Sequence, residues 1–161
     1  MLYIKMEEMY DVLSIFSPPI SLSNSSIPRC ESPNSVVDIV GFANPGKIMT
    51  CDLRNIKKPD MLNNFDNICK VLDIICIYNN FNIIQKIYHE VYPLGYSIIY
   101  ILSECHISLY SFPEKNYIAF DIYTCRYYEN NSVYFKIYDF LVEAFDADYD
   151  SDAITVIDRS F

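Results

Sequence analysis

The chain has 161 residues, 52% hydrophobic and 20% charged, with a formal net charge of −9. That balance fits one folded domain with some excess and excludes an intrinsically disordered chain. Its 12 Lys and Arg are scattered, so it carries no electrostatic footprint for a phosphate backbone, and nucleic-acid binding is not expected.

Met1 to Phe16 has the spacing of a short amphipathic helix, which Pro18 and Pro19 stop. The opening residues MLYIKMEEMYDVL interleave Lys and Glu with apolar side chains and so lack the unbroken apolar core of a signal peptide. Ser17 to Ser35 (SPPISLSNSSIPRCESPNS) cannot bury enough apolar surface to offset its ordering entropy. Residues 1–45 therefore read as an extension with a flexible middle, and residues 46–161 as the folded domain.

Lys47 to Leu53 reads as a strand. Pro59 to Tyr78 places Met61, Leu62, Phe65, Ile68, Cys69, Leu72, Ile75 and Cys76 on one helical face. Phe81 to Val91 is strand-like, and Pro93-Leu94-Gly95 turns the chain. Ser97 to Glu104, His106 to Ser111 and Tyr117 to Tyr123 then give three consecutive strands. Asn131 to Phe145 repeats apolar residues at helical intervals, with Ser132 as its cap, and Ala153 to Ile157 closes as a strand. This order predicts an α+β fold: a two-layer sandwich of mainly antiparallel sheet with helices on one face.

Six cysteines (Cys30, Cys51, Cys69, Cys76, Cys105, Cys125) show no CxxC spacing, and with 2 His there is no zinc quartet, so no metal site is expected. No apolar run approaches the ~18 residues of a membrane span. The expectation is a soluble cytoplasmic protein with reduced thiols and no membrane partner.

The segment richest in chemistry runs from Ser103 to Cys125, SECHISLYSFPEKNYIAFDIYTC. Two β-rich runs flank a Pro-Glu-Lys-Asn turn, opening with an acid beside a thiol and closing on a second thiol. Upstream, His89 precedes Pro93-Leu94-Gly95-Tyr96-Ser97. Together these motifs resemble the prokaryotic-type, short, pyruvoyl-dependent S-adenosylmethionine decarboxylases. That family carries His, Pro-x-Gly-x-Ser, Glu-Ser-His, an aromatic-Pro-Glu turn and a strand ending Thr-Cys-Gly. The likeness extends from Gly46 to the C-terminus, with Cys105 in place of the family's serine, Tyr110 in place of a histidine and Arg126 in place of a glycine.

The resemblance implies a proenzyme that cuts itself between Glu104 and Cys105 and converts residue 105 into a pyruvoyl cofactor. That group condenses with the α-amine of S-adenosylmethionine and draws electrons as CO₂ leaves, a step of spermidine synthesis. Cys105 is then the attacking residue, and a thiolate is a better nucleophile than a hydroxyl. Cys125 matches the acid that protonates the substrate carbon, and Ser97 matches a hydrogen-bonding helper in processing. Tyr110 takes the position of a base, although a phenol titrates near pH 10. Glu104, Phe112 and Glu114 fall to substrate binding, with a ring to stack on adenine and carboxylates for the ribose hydroxyls or the sulfonium. A two-fold homodimer of processed protomers is the implied assembly.

Taken singly, these residues have plainer readings. Cys105 and Cys125 suit sheet packing, Ser97 a turn, and Phe112 with Glu114 a hairpin with a solvated acid. His106 follows the nucleophile but points to the opposite face of its strand, which makes it a structural histidine. The replacements at Cys105 and Tyr110 also motivate a non-cleaving homologue that serves as a regulatory or binding subunit. A pyruvoyl decarboxylase of another amino acid is a further alternative.

Overall fold

Period-two alternation of apolar and polar side chains builds the sheet that organises this molecule. In the computed structural model, which describes residues 45–103 and 105–160, six strands are present. They are β1 (Lys47–Leu53), β2 (Ile83–Glu90), β3 (Tyr96–Leu102), β4 (Cys105–Phe112), β5 (Tyr117–Thr124) and β6 (Ile154–Asp158). Their spatial order is β2-β3-β4-β5-β1-β6, and every neighbouring pair is antiparallel. The expected helix over Met1 to Phe16 and the extension as far as residue 44 lie outside the described residues, as does Glu104.

Helices α1 (Pro59–Leu62), α2 (Phe65–Tyr78) and α3 (Ser132–Phe145) cover one face of the sheet. Met49, Leu53, Ile98, Leu109 and Ile122 from the strands close against Leu72, Ile75, Leu141 and Phe145 from the helices, all buried in one core. This is the two-layer α+β sandwich that the order of elements predicts. Tyr100, Tyr134 and Tyr138 are buried with them, so the tyrosine-rich composition supplies core volume as well as surface.

The single helix expected over Pro59 to Tyr78 is broken by two asparagines. Asn64 caps α2 by accepting from the Asn67 N–H at 3.0 Å, while Asn63 accepts from the Gly95 N–H at 3.2 Å. One side chain satisfies a donor orphaned by the new helix start, and the other bonds a backbone donor in the turn before β3. The start of α3 also differs from expectation, because Ser132 is its first helical residue and Asn131 holds the cap position without a side-chain cap bond. The Ser132 N–H goes instead to Asn130 Oδ1 at 2.9 Å. Phe81, expected to open β2, seals the end of α2, with its N–H on the Cys76 carbonyl at 2.8 Å.

The turn between β2 and β3 contains a cis Tyr92–Pro93 bond and Gly95 at φ +109°. A Cβ on Gly95 would stand 2.4 Å from the Ser111 carbonyl oxygen, so only glycine lets the turn lie against β4.

On β1, burial raises the Cys51 thiol from its ordinary 9.0 to about 12, and the Asp52 and Asp121 carboxylates add to the rise. The unfolded chain therefore ionises this thiol first as pH climbs, and the stability from holding it neutral is lost between those two values. The urea midpoint should fall progressively above pH 9. Cys51→Val, with no titrating group at that position, should fall less steeply over the same range.

Candidate active site

One row of register partners ends the sheet. Asp158 of β6, Lys47 of β1, Thr124 of β5, Cys105 of β4 and Leu102 of β3 lie side by side in that order. Thr124 is fully buried, and Lys47 Nζ donates to Asn131 Oδ1 at 2.8 Å while pairing with Asp158 at 2.9 Å. These bonds hold the start of α3 over the row.

Leu102 and Cys105 pair directly, so only Ser103 and Glu104 separate them in sequence. The Ser103 N–H is tied to the Asn82 carbonyl at 2.9 Å. To complete so short a reversal, the Cys105 backbone adopts φ +139°, in the region that favours glycine. A residue with a side chain held there stores on the order of 1–3 kcal/mol of strain.

Cys125 follows β5 directly, and its Sγ donates to Tyr123 Oη at 3.5 Å. Tyr123 in turn donates to the Pro45 carbonyl at 2.6 Å. The Tyr123 phenol is pushed up to about 12, first by its hydrogen bond with Cys125, then by burial and by charge on Cys125 and Cys105. Arg159, 4.8 Å from its ring centre, opposes that rise. The Cys125 sulfur is therefore hydrogen-bonded to a phenol that stays protonated at neutral pH. Gly46 closes the same corner at φ +84°, where a Cβ would stand 2.2 Å from the Thr124 carbonyl oxygen.

The Arg126 guanidinium donates to the Asn79 and Asn80 carbonyls at 2.7 and 2.6 Å and lies 5.1 Å from the centre of the Phe81 ring. It binds the carbonyls of the two residues that follow α2, where a cation also complements the helix dipole. The segment after Cys125 is thereby anchored to that helix end.

A second row crosses the face opposite the helices, with Asp52, Ala119, Tyr110, Ser97 and His89 as successive partners. Tyr110 stands five residues along β4 from Cys105, about 17 Å at roughly 3.4 Å per residue. The fold thus brings Cys105 and Cys125 together but does not bring Ser97 or Tyr110 to them within one chain. Phe112 lies further along β4, its ring 5.6 Å from that of Tyr117 and 5.2 Å from Lys115 Nζ. Glu114 is exposed on a 3₁₀ turn over Pro113–Lys115, which Asn116 closes at φ +49°. His106 is on the face away from the core, with Nε2 3.8 Å from Asp121 Oδ1, and the Ser108 hydroxyl bonds the same carboxylate. Among the described residues no three His, Cys, Asp or Glu side chains gather in a metal-binding group, and no helix is long and apolar enough to cross a membrane.

The family model described as S-adenosylmethionine decarboxylase matches residues 47–160. The chain belongs to the S-adenosylmethionine decarboxylase family. It is 30% identical over 113 residues to the S-adenosylmethionine decarboxylase proenzyme of Thermococcus kodakarensis, covering 70% of this chain and 73% of that one. The proenzyme of Clostridium botulinum is 36% identical over 66 residues, 41% of this chain and 57% of the relative. A crystal structure of the adenosylmethionine decarboxylase from Aquifex aeolicus shares the fold at a TM-score of 0.61 and 23% identity, covering 73% of this chain and 92% of that one.

Within this decarboxylase fold, one side chain bonded to a thiol, Tyr123, escaped the sequence reading. Tyr123 was detectable, since period-two spacing puts it on the face of Cys125. The target of Arg126 depends on tertiary packing and leaves no local signal, whereas helical spacing already put Tyr134 on the apolar face of its helix. Arg126→Ala should cost about 1.5–3 kcal/mol in urea unfolding through loss of two charged hydrogen bonds, and amide exchange in the last turn of α2 should quicken. Arg126→Lys should recover only part of this, because one ammonium cannot fork across both carbonyls.

Proposed function

We propose that this chain is a self-processing, pyruvoyl-dependent S-adenosylmethionine decarboxylase of polyamine synthesis, made in the cytoplasm as a proenzyme that cuts between Glu104 and Cys105. The observation that carries this reading is the Cys105 backbone, held at φ +139° in a two-residue reversal beside a second thiol. Strain at that residue raises the energy of the uncut chain next to the bond to be broken.

The Cys105 sulfur adds to the Glu104 carbonyl carbon, and the amide nitrogen takes a proton and departs as an amine, leaving a thioester. Removal of the Cα proton of residue 105 breaks its Cβ–S bond. Glu104 leaves as a thiocarboxylate, and residue 105 becomes dehydroalanine. Its imine tautomer takes up water and releases ammonia to leave the pyruvoyl group. That group supplies an electron-withdrawing carbonyl for loss of CO₂. Thr124, Cys125 and Tyr123 would surround it, and the Cys125 thiol, oriented by Tyr123, is the proton donor to the substrate carbon. Glu104, Phe112 and Glu114 serve substrate binding, and the net charge of −9 favours approach of a cationic sulfonium.

A two-fold homodimer completes the site in this reading. Ser97 and Tyr110 are too far along the sheet from their own Cys105 to touch it, and a second copy packed against the end of the sheet that holds Cys105 would supply them. Chains carrying Cys105→Ala should remain uncut, and chains carrying Ser97→Ala with Tyr110→Phe should cut slowly. Mixing the two should restore cutting of the chain that retains Cys105. No restoration would show that the site is complete within one chain.

Intact mass tests the cleavage itself. The expected pieces are Met1 to Glu104 ending in a thiocarboxylate, heavier than the carboxylate by a sulfur-for-oxygen exchange, and a carbonyl-capped piece ending at Phe161. A folded chain that stays whole on incubation would establish the non-cleaving homologue instead. A cut chain that releases no CO₂ from S-adenosylmethionine would point to another amino-acid substrate.

A further inference from the structure

Tyr134 lies in the first turn of α3, over the row that holds Cys105, and is fully buried. Its ring meets Tyr128 edge-on with centres 5.7 Å apart. Among the described residues, its hydroxyl is the buried side-chain polar atom left without a hydrogen-bond partner. An unsatisfied buried O–H costs about 1–3 kcal/mol. Phenylalanine would fill the same space without that cost, so packing does not account for the oxygen.

The helix that carries Tyr134 has Asn131 at its cap position, which Lys47 of the same row holds at 2.8 Å. Tyr128 from the segment after β5, Asp158 of β6, Cys105 of β4 and Cys125 beyond β5 are the groups whose charge acts on the hydroxyl. In the same row, the Lys47 ammonium is engaged by Asn131 and Asp158. Burial first, then Tyr128, Asp158 and charge on the two sulfurs, raise the hydroxyl above its ordinary pKa of 10.0. It therefore remains protonated and is available as a donor.

We propose that the Tyr134 hydroxyl is a hydrogen-bond donor held ready for the negative charge that develops at Cys105 during self-cleavage, an inference that rests on the self-processing reading. The ionised sulfur, the oxyanion formed when it adds to the Glu104 carbonyl and the departing thiocarboxylate each offer the acceptor it lacks. A donor that gains its partner only as the reaction proceeds stabilises the transition state over the ground state.

The test is Tyr134→Phe in the full chain, which removes only the oxygen. Self-cleavage followed by intact mass should slow by about 10²-fold, while the thermal midpoint stays level or rises. Cleavage at the wild-type rate overturns the proposal. A lowered midpoint does so too, because it would mean that the hydroxyl has a structural partner. If the wild-type chain never cuts, the self-processing reading fails separately, and Tyr134 is judged on the uncut protein by iodoacetamide labelling of Cys105 against pH. The labelling midpoint should then shift upward in Tyr134→Phe, since a donor stabilises the thiolate. Coincident midpoints overturn the proposal.

Discussion

The direct pairing of Leu102 with Cys105 sets the geometry on which the candidate site depends. With two residues to reverse direction, the chain meets β4 at φ +139°, and the same register places Cys105 against Thr124. Thr124 is the neighbour of Cys125, so one hairpin and one strand pairing deliver both thiols to a single corner of the sheet. Lys47 and Gly46 fix that corner from β1, one through Asn131 and Asp158 and the other by permitting a close backbone approach.

Among the described residues the sheet is covered on one face only, which divides its chemistry in two. Cys105 and Thr124 sit beneath α3, whereas Ser97, Tyr110 and His89 line a row on the bare side. Strand geometry makes the separation unavoidable: side chains at a strand's two ends cannot meet without another surface between them. The departures from the family pattern have different structural settings. Arg126 is accommodated by binding the end of α2, while Cys105 sits at φ +139°, in the region that favours glycine.

Much of the fold was legible because alternation is a local signal. Lys47 to Leu53 was read to the residue, and the strands on either side of the Pro-Glu-Lys-Asn turn to within one position. Periodicity failed where asparagines intervened, since a side chain that caps or bridges is invisible to a hydrophobic pattern. Asn63 and Asn64 split one expected helix, and the first turn of α3 took its bond from Asn130 where Ser132 was expected to cap. The two thiols were legible through family motifs. The positive φ at Cys105 and the orphaned Tyr134 hydroxyl required three dimensions, because each arises from elements distant in sequence. The remoteness of Ser97 and Tyr110 was implicit in the hairpin register, which only the paired strands make explicit.

Strand order has its own consequence for a chain severed at the β3–β4 hairpin. One polypeptide would own β1, β2 and β3 and the other β4, β5 and β6, yet β1 is threaded between β5 and β6. The two strings are woven like warp and weft, and pulling them apart means tearing three seams of backbone hydrogen bonds at once. Such a cut changes the number of molecules without loosening the cloth, so two peptides would melt as one body.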